Sequence, residues 1–254
     1  MGRLLQGRFD SLGQTWAWIL VGYLTSYLLA TISMSLLPEG SEVQFMRTCV
    51  SDVGSFDPEY NPDGFLWFSA SLVVIAVAML PLVLYRHRRM TAALGASYRM
   101  NILTVLFLIG VAGYLLTGLI PMGRATLVGD WTWDDVHDAA AKIGFLAFGF
   151  GLFIEVTVLY FKQRGMKGRP GVPLPFRHLI KPYLLSILIA SCAVFFLLAW
   201  DYKRAQDPTL RWTGDGLYAF ALWEWLMFLA APLTIAGVAL AWMRTPAQPP
   251  TTKN

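Results

Sequence analysis

The chain has 254 residues, 56% of them hydrophobic and only 14% charged, with a mean hydropathy of +0.52, whereas soluble domains carry about 25% charged residues. This composition excludes an ordinary soluble globular domain. Two cysteines, Cys49 and Cys192, exclude a disulfide scaffold and a cysteine-built zinc site.

About 20 apolar residues cross a bilayer, and six stretches qualify in chain order: Thr15–Leu37, Phe65–Tyr85, Met100–Pro121, Ala139–Phe161, Pro182–Trp200 and Leu217–Met243. The connecting loops are short, so residues 1–244 read as one all-α, six-helix transmembrane domain of a polytopic integral membrane protein. Residues 245–254, with three prolines, read as a disordered tail. The first stretch is longer than a signal-peptide core and has no A-x-A site, so it is expected to remain as an anchor. Pro81 and Pro232 should kink the second and sixth spans. In the fourth, Ala140 with Gly144 and Ala147 with Gly151 repeat small residues every four positions. That pattern packs helices closely, within the bundle or in a homo- or hetero-oligomer.

Charge sets the expected topology. Most basic residues flank one side: Arg3, Arg8, Arg86, Arg88, Arg89, Arg99, Lys162, Arg164, Lys167, Arg169, Arg177, Lys181, Arg244 and Lys253. The positive-inside rule then puts both termini in the cytoplasm. Most acidic residues fall on the other side, so the net charge of +4 reflects orientation toward anionic lipid and not nucleic-acid binding. Tryptophans fall where interfaces are expected, with Trp16, Trp18 and Trp242 inside and Trp67, Trp131, Trp133, Trp200 and Trp212 outside.

Three polar clusters share the outer side: the loop Thr48–Glu59, the segment Trp133-Asp134-Asp135-Val136-His137-Asp138, and Glu224 within the sixth span. Thr132 and Asp135 have capping-box spacing, and Asp134 and Asp135 suit a helix N-terminus. Ser51-Asp52-Val53-Gly54 reads as an Asx-type turn with Gly54 at positive φ. Glu224 lies about 12 Å into its helix at about 1.5 Å per residue, where an ionised carboxylate points to a partner or a watered cavity. Lys142 sits one turn beyond Asp138 and can pair with it, while Glu155 can reach the basic loop after Phe161.

His137 is the one outer histidine; His87 and His178 belong to inner basic segments. A three-histidine zinc site therefore cannot form. If a divalent metal binds, His137, Asp52, Asp138 and Glu224 supply one imidazole and carboxylates, a set that does not choose among magnesium, calcium, manganese and zinc. Asp138 is badly placed to orient the neighbouring imidazole, so Asp52 or Glu224 is the better partner for His137 as a base. Ser51 has no nucleophile elbow around it.

The order of Ser51-Asp52-x-Gly54 and Pro58-Glu59 before the second span, Phe68-Ser69-Ala70, Asn101, His137-Asp138 with Ala141, and Glu224-Trp225 resembles the FRAG/DRAM/SFK group of six-span membrane proteins. That group includes the damage-regulated autophagy modulators and GPI-anchor remodelling proteins. An added segment at Asn61–Gly64 and a long Met122–Asp134 stretch depart from its pattern. The resemblance implies handling of lipid headgroups without implying a settled reaction.

The leading expectation is an outer pocket that recognises or organises lipid or lipid-linked headgroups, lined by Ser51, Asp52, Glu59, His137, Asp138, Glu224 and Trp225. Arg47 or Arg124 is available for a phosphate. A second reading is a lipid hydrolase or acyltransferase using His137, Asp52 and Glu224, and a third is an ion or proton pathway through Glu224, Lys142 and Glu155. No N-x-S/T sequon occurs, which suits a bacterial plasma membrane; in a eukaryote an endomembrane is expected.

Overall fold

The computed structural model describes residues 2–38, 49–94, 98–165, 176–206 and 220–244. Arg47, Leu217 and the tail at 245–254 lie outside the described residues. The elements are α1 (Gly2–Leu5), α2 (Leu12–Ser35), α3 (Val50–Val53), α4 (Phe65–Leu94), α5 (Tyr98–Leu119), β1 (Thr126–Val128), β2 (Trp131–Thr132), α6 (Trp133–Gly165), α7 (Phe176–Gln206) and α8 (Phe220–Arg244). Five of the helices, α2, α4, α5, α6 and α8, are long and apolar enough to cross a membrane, and α7 is 31 residues long. Several helices outrun the apolar stretches because backbone hydrogen bonding continues into polar sequence where hydropathy stops. The short antiparallel β1–β2 hairpin was not expected; it turns at Gly129-Asp130, and Gly129 takes φ 58°, the glycine-favouring conformation of a two-residue hairpin.

Helix α4 is the hub, packing against α2, α5 and α8, while α5–α6, α6–α7 and α7–α8 contacts close a ring of five helices. Paired residues give the directions. Ser26 meets Ser71 at 3.0 Å and the Trp18 indole donates to the Ala78 carbonyl at 2.9 Å, so α2 and α4 are antiparallel. Gly113 and Gly144 meet where α5 crosses α6: a Cβ on Gly113 would lie 2.5 Å from the Gly144 Cα. The small-residue pattern of α6 is thus a close helix contact. At one end lie α3, the hairpin and the start of α8. At the other, Arg88 donates to the Gln6 carbonyl and the Tyr85 hydroxyl to the Met243 sulfur at 3.4 Å. Both ends of the described chain therefore share one end of the bundle.

The outward faces are apolar: Val21 is 69% exposed, Phe153 57% and Leu185 59%. Such faces would be an association liability in water and are satisfied in lipid. Inside, prolines leave carbonyls without their helical donors. Pro232 removes the donor to Phe228, and the Tyr114 hydroxyl from α5 supplies one at 3.2 Å. Trp242, expected at an interface, is buried at 1% exposure.

Glu155 does not reach the basic loop. It is fully buried against Arg86 of α4, whose Nε and Nη2 both stand 2.8 Å from its Oε2, and the guanidinium lies 4.4 Å from the Phe107 ring centroid. Arg86 is thereby taken out of the basic segment to which its place in the sequence assigned it. His87 is half-buried and shares a 2.7 Å hydrogen bond with Thr104 of α5. Breaking a buried pair from one side leaves a bare charge and costs about 3–5 kcal/mol, whereas replacing both partners by apolar groups costs far less. Glu155→Leu should therefore lower the unfolding midpoint in detergent strongly, and Arg86→Met with Glu155→Leu should recover most of it. A double variant as weak as the single one would show that the pair is not the reason.

Candidate functional site

The loop before α4 and the α5–α6 connection form one cap on the bundle. The Phe56 N–H donates to the Met122 carbonyl at 3.1 Å, the Gly123 N–H to Asp134 Oδ1 at 2.6 Å, and the Phe56 ring stands edge-on to Trp133. Thr132 and Asp135 form the expected capping box: the Asp135 N–H donates to Thr132 Oγ1 at 3.2 Å and the Thr132 N–H to Asp135 Oδ2 at 2.9 Å.

Asn61, which sequence reasoning treated as part of an insertion, ties this cap down. It is fully buried, and its side-chain amide donates to the Val53 carbonyl at 2.8 Å and to Ser33 Oγ at 3.0 Å. It thus joins the end of α2 to the end of α3. An asparagine opening an Asn-Pro-Asp-Gly turn was the available signal, but nothing in it reveals the long-range partners.

Helix α3 replaces the expected Asx-type turn. Gly54 has φ −92°, and glycine is required there by space: a Cβ would lie 2.7 Å from the Phe68 ring. Asp52 accepts the Cys49 N–H at 2.9 Å, so it serves the start of α3. The next N–H, that of Val50, donates to Glu224 Oε2 at 2.9 Å. The partner that Glu224 demanded is therefore a helix N-terminus, where unpaired N–H groups favour a carboxylate.

A partly open cavity of about 30 Å³ lies beneath α3. Ser51, His137 and Glu224 all line it, with Phe68, Tyr114, Phe145 and Phe228 as aromatic walls and Thr117 at its edge. These aromatic residues and Thr117 were not anticipated, since their spacing is also that of ordinary core positions. His137 is 3% exposed, and its Nδ1 is 2.7 Å from the Ile120 carbonyl oxygen. A carbonyl only accepts, so Nδ1 carries a proton, and in the neutral ring Nε2 keeps its lone pair.

The other expected site residues do not line this cavity. Asp138 pairs with Lys142 at 3.7 Å, as its spacing implied. Arg124 is held by Glu59 and lies 3.8 Å from Asp57; Glu59 keeps its guanidinium pKa above the usual value. Trp225 is buried in the core and meets Phe228 edge-on. Among the described residues no three His, Cys, Asp or Glu side chains are grouped to hold a metal ion, so His137, Asp52, Asp138 and Glu224 do not form the ligand set considered above. No known protein family, curated protein or solved structure matches the chain.

Burial pushes the Cys49 thiol well above its ordinary pKa, and the carboxylates of Glu224 and Asp52 push it further. The thiol stays protonated and unreactive at neutral pH. In a Cys192→Ser background, maleimide labelling of Cys49 at pH 7 should be slow and should accelerate on Glu224→Gln, which removes a negative charge beside it. Equal rates would separate the thiol from Glu224.

Proposed function

We propose that this chain is a six-span membrane protein, with both termini cytoplasmic, that recognises or organises lipid or lipid-linked headgroups in a pocket on the non-cytoplasmic face. The observation that carries this reading is the cavity under α3. There a carboxylate on a membrane-type helix, a histidine with a free Nε2 and a serine meet inside aromatic walls. Ionisable groups within membrane-type helices are functional-site candidates, and a few polar groups in an apolar setting are what orient a bound molecule. The likeness to the FRAG/DRAM/SFK group, carried by Ser51-Asp52-x-Gly54, His137 and Glu224-Trp225, points the same way. Arg124 plays no part in this reading, since it is engaged by Glu59.

Helix α7 supplies the sixth span, and the shared location of Gln6 and Met243 fits an even number of crossings. A reporter active only in the cytoplasm should give signal when fused at either terminus; signal from a fusion in the β1–β2 turn instead would invert the topology.

An enzymatic reading has one observation in its favour: His137 Nε2 is set to accept a proton and Ser51 shares its cavity. The ion-pathway reading is disfavoured by a packed layer of Met79, Leu82, Leu103, Phe107 and Phe148 in the bundle interior, each at most 1% exposed. Gentle extraction followed by native mass spectrometry should find phospholipid retained by the wild type and lost from folded Glu224→Gln and His137→Ala variants. Equal retention by all three would refute the headgroup site. Turnover of a lipid extract by wild type but not by His137→Ala would replace binding with catalysis.

A further inference from the structure

The hydrogen bonds around the cavity select the chemistry of its occupant. Nearly every polar hydrogen on its wall is already given away. The Thr117 hydroxyl donates to the Gly113 carbonyl at 2.7 Å, and the Tyr114 hydroxyl to the Phe228 carbonyl at 3.2 Å. His137 spends its Nδ1 proton on Ile120, and the Val50 N–H is held by Glu224. What these lining residues still offer is a set of lone pairs: Nε2 of the neutral His137 ring, the Thr117 and Tyr114 oxygens, and the rest of the Glu224 carboxylate. The rotatable Ser51 hydroxyl can still donate. The wall is thus mainly an acceptor wall.

Two further observations narrow the occupant. Among the described residues Glu224 has no Lys or Arg partner, and its carboxyl meets the Val50 N–H and the Cys49 thiol instead. The lining also includes Phe68, Tyr114, Phe145 and Phe228, an aromatic setting that suits a cation better than an anion. The cavity is small, about 30 Å³. A trimethylammonium has no N–H to give to its acceptors. A primary ammonium is compact, positively charged and carries three donors.

We infer that the cavity receives a primary ammonium group, borne by a lipid headgroup or by a free alkylamine. The lipid source rests on the headgroup reading above; the ammonium chemistry rests on the acceptor wall.

The test uses the full chain, delipidated, and native mass spectrometry with three probes: ethanolamine-headgroup and choline-headgroup phospholipids with identical acyl chains, and free ethanolamine. The ethanolamine lipid should bind at least about tenfold more tightly than the choline lipid, the scale of one charge-assisted contact. Glu224→Gln, which can still accept the Val50 N–H, should abolish that preference. Thr117→Val removes one acceptor without touching the anchor of α3 and should reduce it. Equal binding of the two lipids overturns the ammonium inference and leaves headgroup binding standing, and a preference unchanged in both variants also overturns it. Free ethanolamine bound with neither lipid bound supports the ammonium site and overturns the lipid reading. No probe bound overturns both.

Discussion

Inside a bundle of apolar helices a polar atom has no water to fall back on, and its partner must come from the protein. This constraint organises both ends of the molecule. At one end Glu155 and Arg86 meet between α6 and α4 because neither can remain charged alone. At the other, Glu224 takes the Val50 N–H and so holds α3 across the bundle. Between them, the carbonyl freed by Pro232 draws in the Tyr114 hydroxyl. The same substitution logic applies at each place: removing one partner strands the other.

The two ends differ in what is left over. The Arg86–Glu155 pair balances its charge and is sealed by apolar packing. Glu224 has a backbone N–H in place of a cation, and it borders a cavity. A carboxylate met by a cation builds a joint between helices, whereas one met by neutral donors beside an opening keeps lone pairs that face polar space. That difference, and not the mere presence of a buried carboxylate, separates the candidate site from the structural network.

The cap extends this logic to the loops. Asn61 binds α2 and α3 together, and Asp134 binds the α5–α6 connection to the start of α6. Tethered from both sides, the cap presents Ser51 and His137 to the same small space. Gly54 and Gly113 allow the close approaches this needs, the one beneath a phenylalanine ring and the other against a neighbouring helix.

The long apolar helices were legible in composition and run length, because burial in lipid demands an unbroken apolar stretch that any window of residues reveals. Local devices were legible too: the Thr132–Asp135 capping box, the Asp138–Lys142 pair and the small-residue face of α6 all lie within one or two turns. Glu224 was legible as an anomaly but not by its partner, since Val50 is remote in sequence and a backbone N–H has no sequence signature. For the same reason Glu155 was sent to the nearest basic loop when Arg86 of another helix claims it. The aromatic walls and Thr117 resemble any core residues until the helices are placed around a void. What the sequence by itself determined was therefore which segments must leave water and which groups would resist doing so. Only the tertiary structure decided how those groups are paired, because pairing depends on helix adjacency and hydrogen-bond direction, which exist only once the ring of helices has closed.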